Sequence, residues 1–229
     1  MRDLLEDHAI PPPLLLGSDH DGRGWDRHAT DRCAIWRRIA AKVLLLATAT
    51  RLCHCPVVID PSLSEAVKAV ASLQGAFRLR SGQISWTYFD KYRFEADPAL
   101  LRRVAAEMIL LLPEGSEVLA GLELGGVPIA IAMSLETGLP AAFVRKKAKD
   151  YGTCQAVEGG DVAGKRVVLV EDVITTGGAV ADAARLVEEA GAQVIAVVCA
   201  IWRGDGPPAI AATPGLPVFA AMQKGDLLD

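Results

Sequence analysis

From Glu117 to Trp202 the sequence alternates short apolar runs with helix-like segments, and this alternation restricts the fold more than any other feature. "EVLAGLEL" (117 to 124), "PAAFVRK" (140 to 146) and "QVIAVVCAIW" (193 to 202) have the length and continuous apolarity of buried strands. "VVLV" (167 to 170) opens a fourth. Between them lie a helical segment that follows Gly125-Gly126 and ends near Gly138, and another from about Gly178 to Ala190 with Gly191 as its stop. Strand and helix in alternation imply βαβ units, and hence an α/β fold with a mostly parallel central sheet flanked by helices.

Upstream, "DPALLRRVAAEMILLLP" (97 to 113) predicts an amphipathic helix with Pro98 in its first turn. "PSLSEAVKAVASLQG" (61 to 75) predicts a second, with Ser62 and Glu65 as a capping box and Gly75 as its stop. "AFRLRSGQISWTYFD" (76 to 90) alternates about Ser81-Gly82 as a hairpin does. Residues 147 to 164 have no apolar period and are expected to form a long polar loop.

Composition changes near residue 60. All four histidines lie before it, with "PPP" (11 to 13) and the Gly/Asp-rich "GSDHDGRGWD" (17 to 26), although a helix is plausible from about Ala34 to Ala49. The expected division is an N-terminal extension, 1–60, weakly ordered and non-catalytic, and a domain, 61–229. Its role stays open between a regulatory arm, an oligomer contact and upstream sequence from a misplaced start. A net charge of -4 provides no basic excess for nucleic acid. The longest apolar stretch, Val43 to Thr50, is too short to span a bilayer. Five irregularly spaced cysteines fit a reducing cytoplasm rather than a disulfide framework. Cys53-His54-Cys55 lacks a second pair at zinc spacing, Cys154 falls in the polar loop, and Cys199 reads as core.

The run "VVLVEDVITTGG" (167 to 178) carries the chemistry. Ligands of parallel sheets bind beyond strand carboxyl ends. Thr175 to Ala179 place successive backbone N–H groups at a helix N-terminus, which favours a phosphate, and Gly177 and Gly178 allow close approach. Glu171 and Asp172 have two readings. They could cap the helix, although a cap needs one carboxylate nearer the helix start. Alternatively, as acceptors, they suit the hydroxyls of a sugar that carries the phosphate. The basic run Arg145 to Lys149 is a solvated surface stretch or, because it follows a strand, part of the site.

"VVLVEDVITTGG" resembles the phosphoribosyl-pyrophosphate (PRPP) motif of type I phosphoribosyltransferases. "LRSGQIS" (79 to 85), "YFD" (88 to 90), "GLELGGVPIA" (121 to 130) and "VRKKAKDYGT" (144 to 153) resemble the orotate branch of that family. The resemblance implies the type I fold with a small N-terminal hood built from residues 62 to 90. It also implies transfer of phosphoribosyl from PRPP to orotate, with Mg²⁺, in a cytoplasmic homodimer that binds neither nucleic acid nor membrane. On this likeness Glu171 and Asp172 hold the ribose hydroxyls, Thr175, Thr176, Gly177, Gly178 and Ala179 hold the 5'-phosphate, and Val173 and Ile174 also belong to the PRPP-binding set. Leu124, Gly125, Gly126 and Tyr151 line the pyrophosphate, and Arg145, Lys146 and Lys149 are the catalytic basic residues. Arg80, Tyr88, Phe89, Thr175 and Arg203 hold orotate, and the metal is held mainly through PRPP with no direct protein ligand. Relatives often carry His where Tyr151 stands, Lys where Gly125 stands and Pro where Trp86 stands. The alternatives are a transferase for another base and a non-enzymatic PRPP-sensing regulator.

Overall fold

The structure, a computed structural model, describes residues 61–78, 81–146 and 155–227. The extension 1–60, with its possible 34–49 helix and Cys53-His54-Cys55, lies outside the described residues, as does Cys154. In chain order the elements are α1 (Pro61–Ala71), β1 (Ser72–Arg78), β2 (Ile84–Phe89), α2 (Tyr92–Glu95), α3 (Pro98–Ile109), β3 (Val118–Leu122) and α4 (Gly126–Thr137). Then follow β4 (Ala141–Val144), β5 (Val157–Gly159), β6 (Arg166–Ile174), α5 (Gly178–Glu189), β7 (Gln193–Trp202), β8 (Val218–Gln223) and α6 (Lys224–Leu227).

Six strands form the main sheet in the order β5-β4-β3-β6-β7-β8, parallel except for the antiparallel edge strand β5. Alternation along each strand supplies two cores, one per face. Leu119, Val168, Val170, Ala196 and Val198 face α1, α3 and α4, where Leu63, Val67, Val104, Met108, Ile129 and Met133 are buried. Val118, Ala120, Val167, Leu169, Val197 and Cys199 face α5 through Val180, Ala183, Ala184 and Val187. Each buried Val, Leu, Ile or Met among them contributes about 1.5–3 kcal/mol by leaving water. Because α4 and α5 cover opposite faces, the chain leaves β3 toward β4 and leaves β6 toward β7. The crevice between β3 and β6 is therefore the point where strand order reverses, which is where open α/β sheets bind ligands.

Local chemistry accounts for most boundaries. Asp97 caps α3, its side chain accepting from Ala99 N and Leu100 N, with Pro98 at the first helical position. Gly138 ends α4 in the left-handed region at φ 73. Four expectations need correction. The first helix ends at Ala71, and its start at Pro61 puts Ser62 inside it rather than in a capping box. Gly75 lies in β1, at the register shift between Gln74 and Phe77 of the antiparallel β1–β2 hairpin, so it accommodates a bulge rather than stopping a helix. The polar loop contains β5, too short to show a period, while residues 147–154 lie outside the description. The strand opened by Val167 runs on through both acids to Ile174. The elements β8, α6 and α2 had no reading in the sequence. Of the expected hood, the hairpin forms its own two-stranded sheet, whereas α1 contributes Leu63, Val67 and Ala71 to the main core.

Candidate active site

Strand β6 outruns its neighbour. Pairing with β3 stops at Gly121↔Val170, whereas pairing with β7 continues through Glu171↔Cys199 to Ile174↔Trp202. The turn after β3 fills the vacated edge, and the glycines there make close packing possible. A Cβ on Gly121 would lie 2.6 Å from Gly126 O and 2.9 Å from Ala130 Cβ. Gly126 packs on the Val170 carbonyl, and Gly125 packs on the Asp172 carboxylate with no room for a side chain. Gly125 has φ -69, so space rather than conformation requires glycine there. The Glu123–Leu124 peptide in this turn is cis.

After Ile174 the chain turns through exposed Thr175 and Thr176 to Gly177, which is left-handed at φ 78 and packs against Ile210. No side chain caps α5, and no acid occupies its first turn. Gly178 has open space around its missing Cβ, and Ala179 is exposed. The unopposed N–H groups and positive dipole end form an open anion cradle. The acids do not cap this helix. Glu171 Oε1 accepts from Asp172 N at 3.0 Å, and Asp172 Oδ1 accepts from Val173 N at 2.6 Å. The capping alternative is thereby removed.

The two acids reach different partners. Glu171, 8% exposed, lines a cavity of about 320 Å³ together with Glu123, Arg145, Lys146, Ala179 and Asp182. Arg145 is half-buried, its Nε without a hydrogen-bond partner among the described residues, and Lys146 is exposed. Lys146 N donates to Glu123 Oε2 at 3.1 Å, which ties the start of the basic run to the turn after β3. Asp172 is fully buried, and its Oδ2 lies 2.5 Å from Lys91 Nζ. Glu95, 7% exposed, lies beside it.

Three carboxyls around one ammonium cannot all ionise. Burial first, then the neighbouring Asp172, pushes Glu171 up to about 9 and Glu95 up to about 8. Burial also acts to raise Asp172, but the polar groups of Glu171, Glu95 and Lys91 around it outweigh this and hold that carboxyl below its usual range. The ionised member of the acid pair is Asp172. Burial opposes the charge on Lys91, but Asp172 and Glu171 raise it overall. Burial pushes the Cys199 thiol up, as befits a core residue.

The fold thus brings Glu171, Asp172, the 175–179 cradle, Gly125, Gly126, Arg145 and Lys146 to one end of the sheet. Leu124 is exposed in the same turn. Val173 packs partly on one core and Ile174 is buried in the other, so both face packing rather than the cradle. Half-buried Arg203 is anchored there too, its N–H donating to Ile174 O at 2.7 Å. On the hairpin, Tyr88 is 45% exposed beside Phe77, with ring centroids 5.4 Å apart, and Phe89 packs partly on the core. Arg80, Lys149 and Tyr151 lie outside the described residues. Sequence reasoning missed Lys91 and Glu95. The only signal was "DKYRFE", where a helical i,i+4 Lys/Glu pair flanks Phe94, and such a pair ordinarily marks a solvated surface.

Comparison with known proteins agrees with this geometry. The phosphoribosyl transferase domain pattern matches residues 93–214. An orotate phosphoribosyltransferase of Nocardioides sp. is 57% identical over 171 residues, covering 75% of this chain and 96% of the relative. One from Halobacterium salinarum is 40% identical over 168 residues, covering 73% and 95%. The crystal structure of Mycobacterium tuberculosis orotate phosphoribosyltransferase in complex with PRPP superposes with a TM-score of 0.61 at 28% identity, over 73% of this chain and 97% of that one. With its parallel sheet, its switch-point crevice and its acid pair leading into a phosphate cradle, the chain belongs to the phosphoribosyl transferase family, in the orotate phosphoribosyltransferase branch.

Proposed function

We propose that the protein transfers the 5-phosphoribosyl group of PRPP to orotate, giving orotidine 5'-monophosphate and pyrophosphate, a step of UMP biosynthesis. The observation that carries this reading is the placement of Arg145 and Lys146 across one cavity from Glu171 and the N-terminus of α5. A ring nitrogen of orotate attacks the anomeric carbon while the bond from that carbon to the pyrophosphate oxygen breaks; the electron pair leaves with pyrophosphate, and the proton of the ring nitrogen is released to the departing pyrophosphate or to water. The 175–179 N–H groups hold the 5'-phosphate, and Glu171 and Asp172 hold the ribose hydroxyls. Glu171, on the cavity wall, meets the hydroxyls and can both donate and accept when protonated, while enclosed Asp172 anchors it from beneath. Arg145, Lys146 and Lys149 offset the charge that develops on the leaving group, an effect that grows as water is excluded.

Mg²⁺ would be carried on the phosphates and keep most of its water, as this ion usually does, while adding positive charge at the departing pyrophosphate. The cavity fits such an arrangement, because Glu123 and Asp182 offer hard oxygens to the ion's water shell beside Arg145 and Lys146. Arg203 and Arg80 are the residues assigned to the orotate carboxylate, and Tyr88 and Phe89 to its ring. Exposed Ile131 and Leu135, four residues apart on α4 at 39% and 81%, support a homodimer in which this apolar face is covered. No helix among the described residues is long and apolar enough to cross a membrane. We assign the protein to the cytoplasm from its five irregularly spaced cysteines, which suit a reducing compartment.

Incubation with PRPP, Mg²⁺ and orotate should consume orotate, read as loss of its absorbance, and yield pyrophosphate. The double variant Glu171→Gln, Asp172→Asn should fold yet bind PRPP far more weakly by calorimetry. Turnover of uracil or a purine in place of orotate would overturn the branch reading. PRPP binding without turnover of any base would make the protein a sensor instead.

A further inference from the structure

Lys91 is the one cation in direct contact with Asp172 among the described residues, and it comes from the segment that follows the hairpin rather than from the PRPP motif. Its side chain is 33% exposed, while Asp172 is fully enclosed. The second Asp172 oxygen is taken by Val173 N–H. Glu95, one helical turn after Lys91, completes the enclosure. Its Oε1 is buried without a hydrogen-bond partner among the described residues and lies 2.8 Å from where a Gly125 Cβ would stand. Lys91, Glu95 and the Gly125 backbone thus surround one carboxylate.

We propose that Lys91 is a positioning residue for PRPP, holding Asp172 in place as the enclosed anchor of the acid pair so that Glu171 faces the ribose hydroxyls from the cavity wall, with Glu95 closing the underside of the pair. The inference rests on the reading of the Glu171–Asp172 pair as the ribose-binding group. The charged and titratable groups around it are Asp90, Lys91, Tyr92 and Glu95 from the hairpin end and α2, and Glu171 beside it on β6. Without Lys91 this set holds acids and no cation. A proton would then be the cheapest way to neutralise the cluster, and Asp172 would take it at higher pH than before. A protonated, unanchored Asp172 no longer fixes Glu171, whose Oε1 accepts from the Asp172 N–H at 3.0 Å, against the ribose hydroxyls. The segment is also tied to the end of α1, since Asp90 N donates to Ala71 O at 2.8 Å and so fixes where Lys91 begins.

The test uses the full chain with Lys91→Met and Lys91→Arg, varying PRPP at saturating orotate and the reverse, across pH 5.5 to 9. Lys91→Met is expected to raise the KM for PRPP by about 10-fold or more, since it strips the partner from a buried charge. The KM for orotate should change little. The acid limb of kcat/KM for PRPP should move up by about one pH unit as Asp172 protonates more readily. Lys91→Arg, which keeps the charge, should recover most of the loss. An unchanged KM for PRPP with a superimposable pH profile overturns the proposal. So does a loss that falls equally on both substrates and is not recovered by arginine, because that marks a structural role. Should Lys91→Met fail to fold, Lys91→Gln carries the same comparison. Calorimetric binding of PRPP to wild type and variant reads the Lys91 effect without turnover. An enzyme inactive on orotate would sink the reaction assigned above and leave the role of Lys91 still measured.

Discussion

A fully buried carboxylate must be paired or neutralised, and the cluster around Asp172 uses both routes. Asp172 is paired with Lys91, whereas Glu95 and Glu171 are held as acids well above the usual carboxylate range. The linkage to stability follows with a definite sign. Glu95 binds its proton more tightly folded than unfolded, so its contribution is fully present below about pH 4.5 and is lost as pH rises through about 8. Unliganded protein should therefore melt at progressively lower temperature between pH 5 and 9. Each such group contributes a slope of at most about 1.4 kcal/mol per pH unit. Glu95→Gln should flatten that slope in a thermal melt series, and an unaltered slope would show that Glu95 is not the titrating group. At this scale the sequence was legible in residue type and spacing. It showed that two acids precede a phosphate cradle. It did not show that one would be ionised and the other protonated, because that depends on Lys91 and Glu95, some eighty positions upstream.

Among the elements, β3, α4 and β6 meet through glycine, and this contact sets where the turn after β3 can sit. Gly121→Ala would push a methyl group into Gly126 O and Ala130 Cβ, at 2.6 and 2.9 Å. The overpacking should cost roughly 1–3 kcal/mol in denaturant unfolding and shift the Gly125–Gly126 turn, raising the KM for PRPP as well. Unchanged stability would mean that α4 slides freely on the sheet. The long elements were readable from strong local signals: α3 from its amphipathic period and cap, α4 and α5 from the glycines that bound them, and β3 and β7 from continuous apolar runs. The short ones were not. A three-residue strand such as β5 or a four-residue helix such as α2 has no period to detect, and each forms because a neighbouring strand or core offers a place for it. Gly75 shows the same limit, since glycine stops a helix and accommodates a bulge with equal ease.

At the scale of the whole molecule, the described domain carries its own two cores and its own site, and α1 begins it. We therefore expect a chain beginning at Asp60 to retain turnover and PRPP affinity, measured in the orotate assay. Loss of either would assign the 1–60 extension a part in catalysis or assembly. The alternation of strands and helices, the cradle and the basic run after β4 were determined by sequence alone. All are local, set by side-chain period, glycine and caps within a few residues. Strand order, the overhang of β6 beyond β3, and the convergence of Lys91, Glu95 and Gly125 on Asp172 were decided only by tertiary structure. Those depend on which distant segments share the protein interior, where removal from water makes each charge depend on its neighbours.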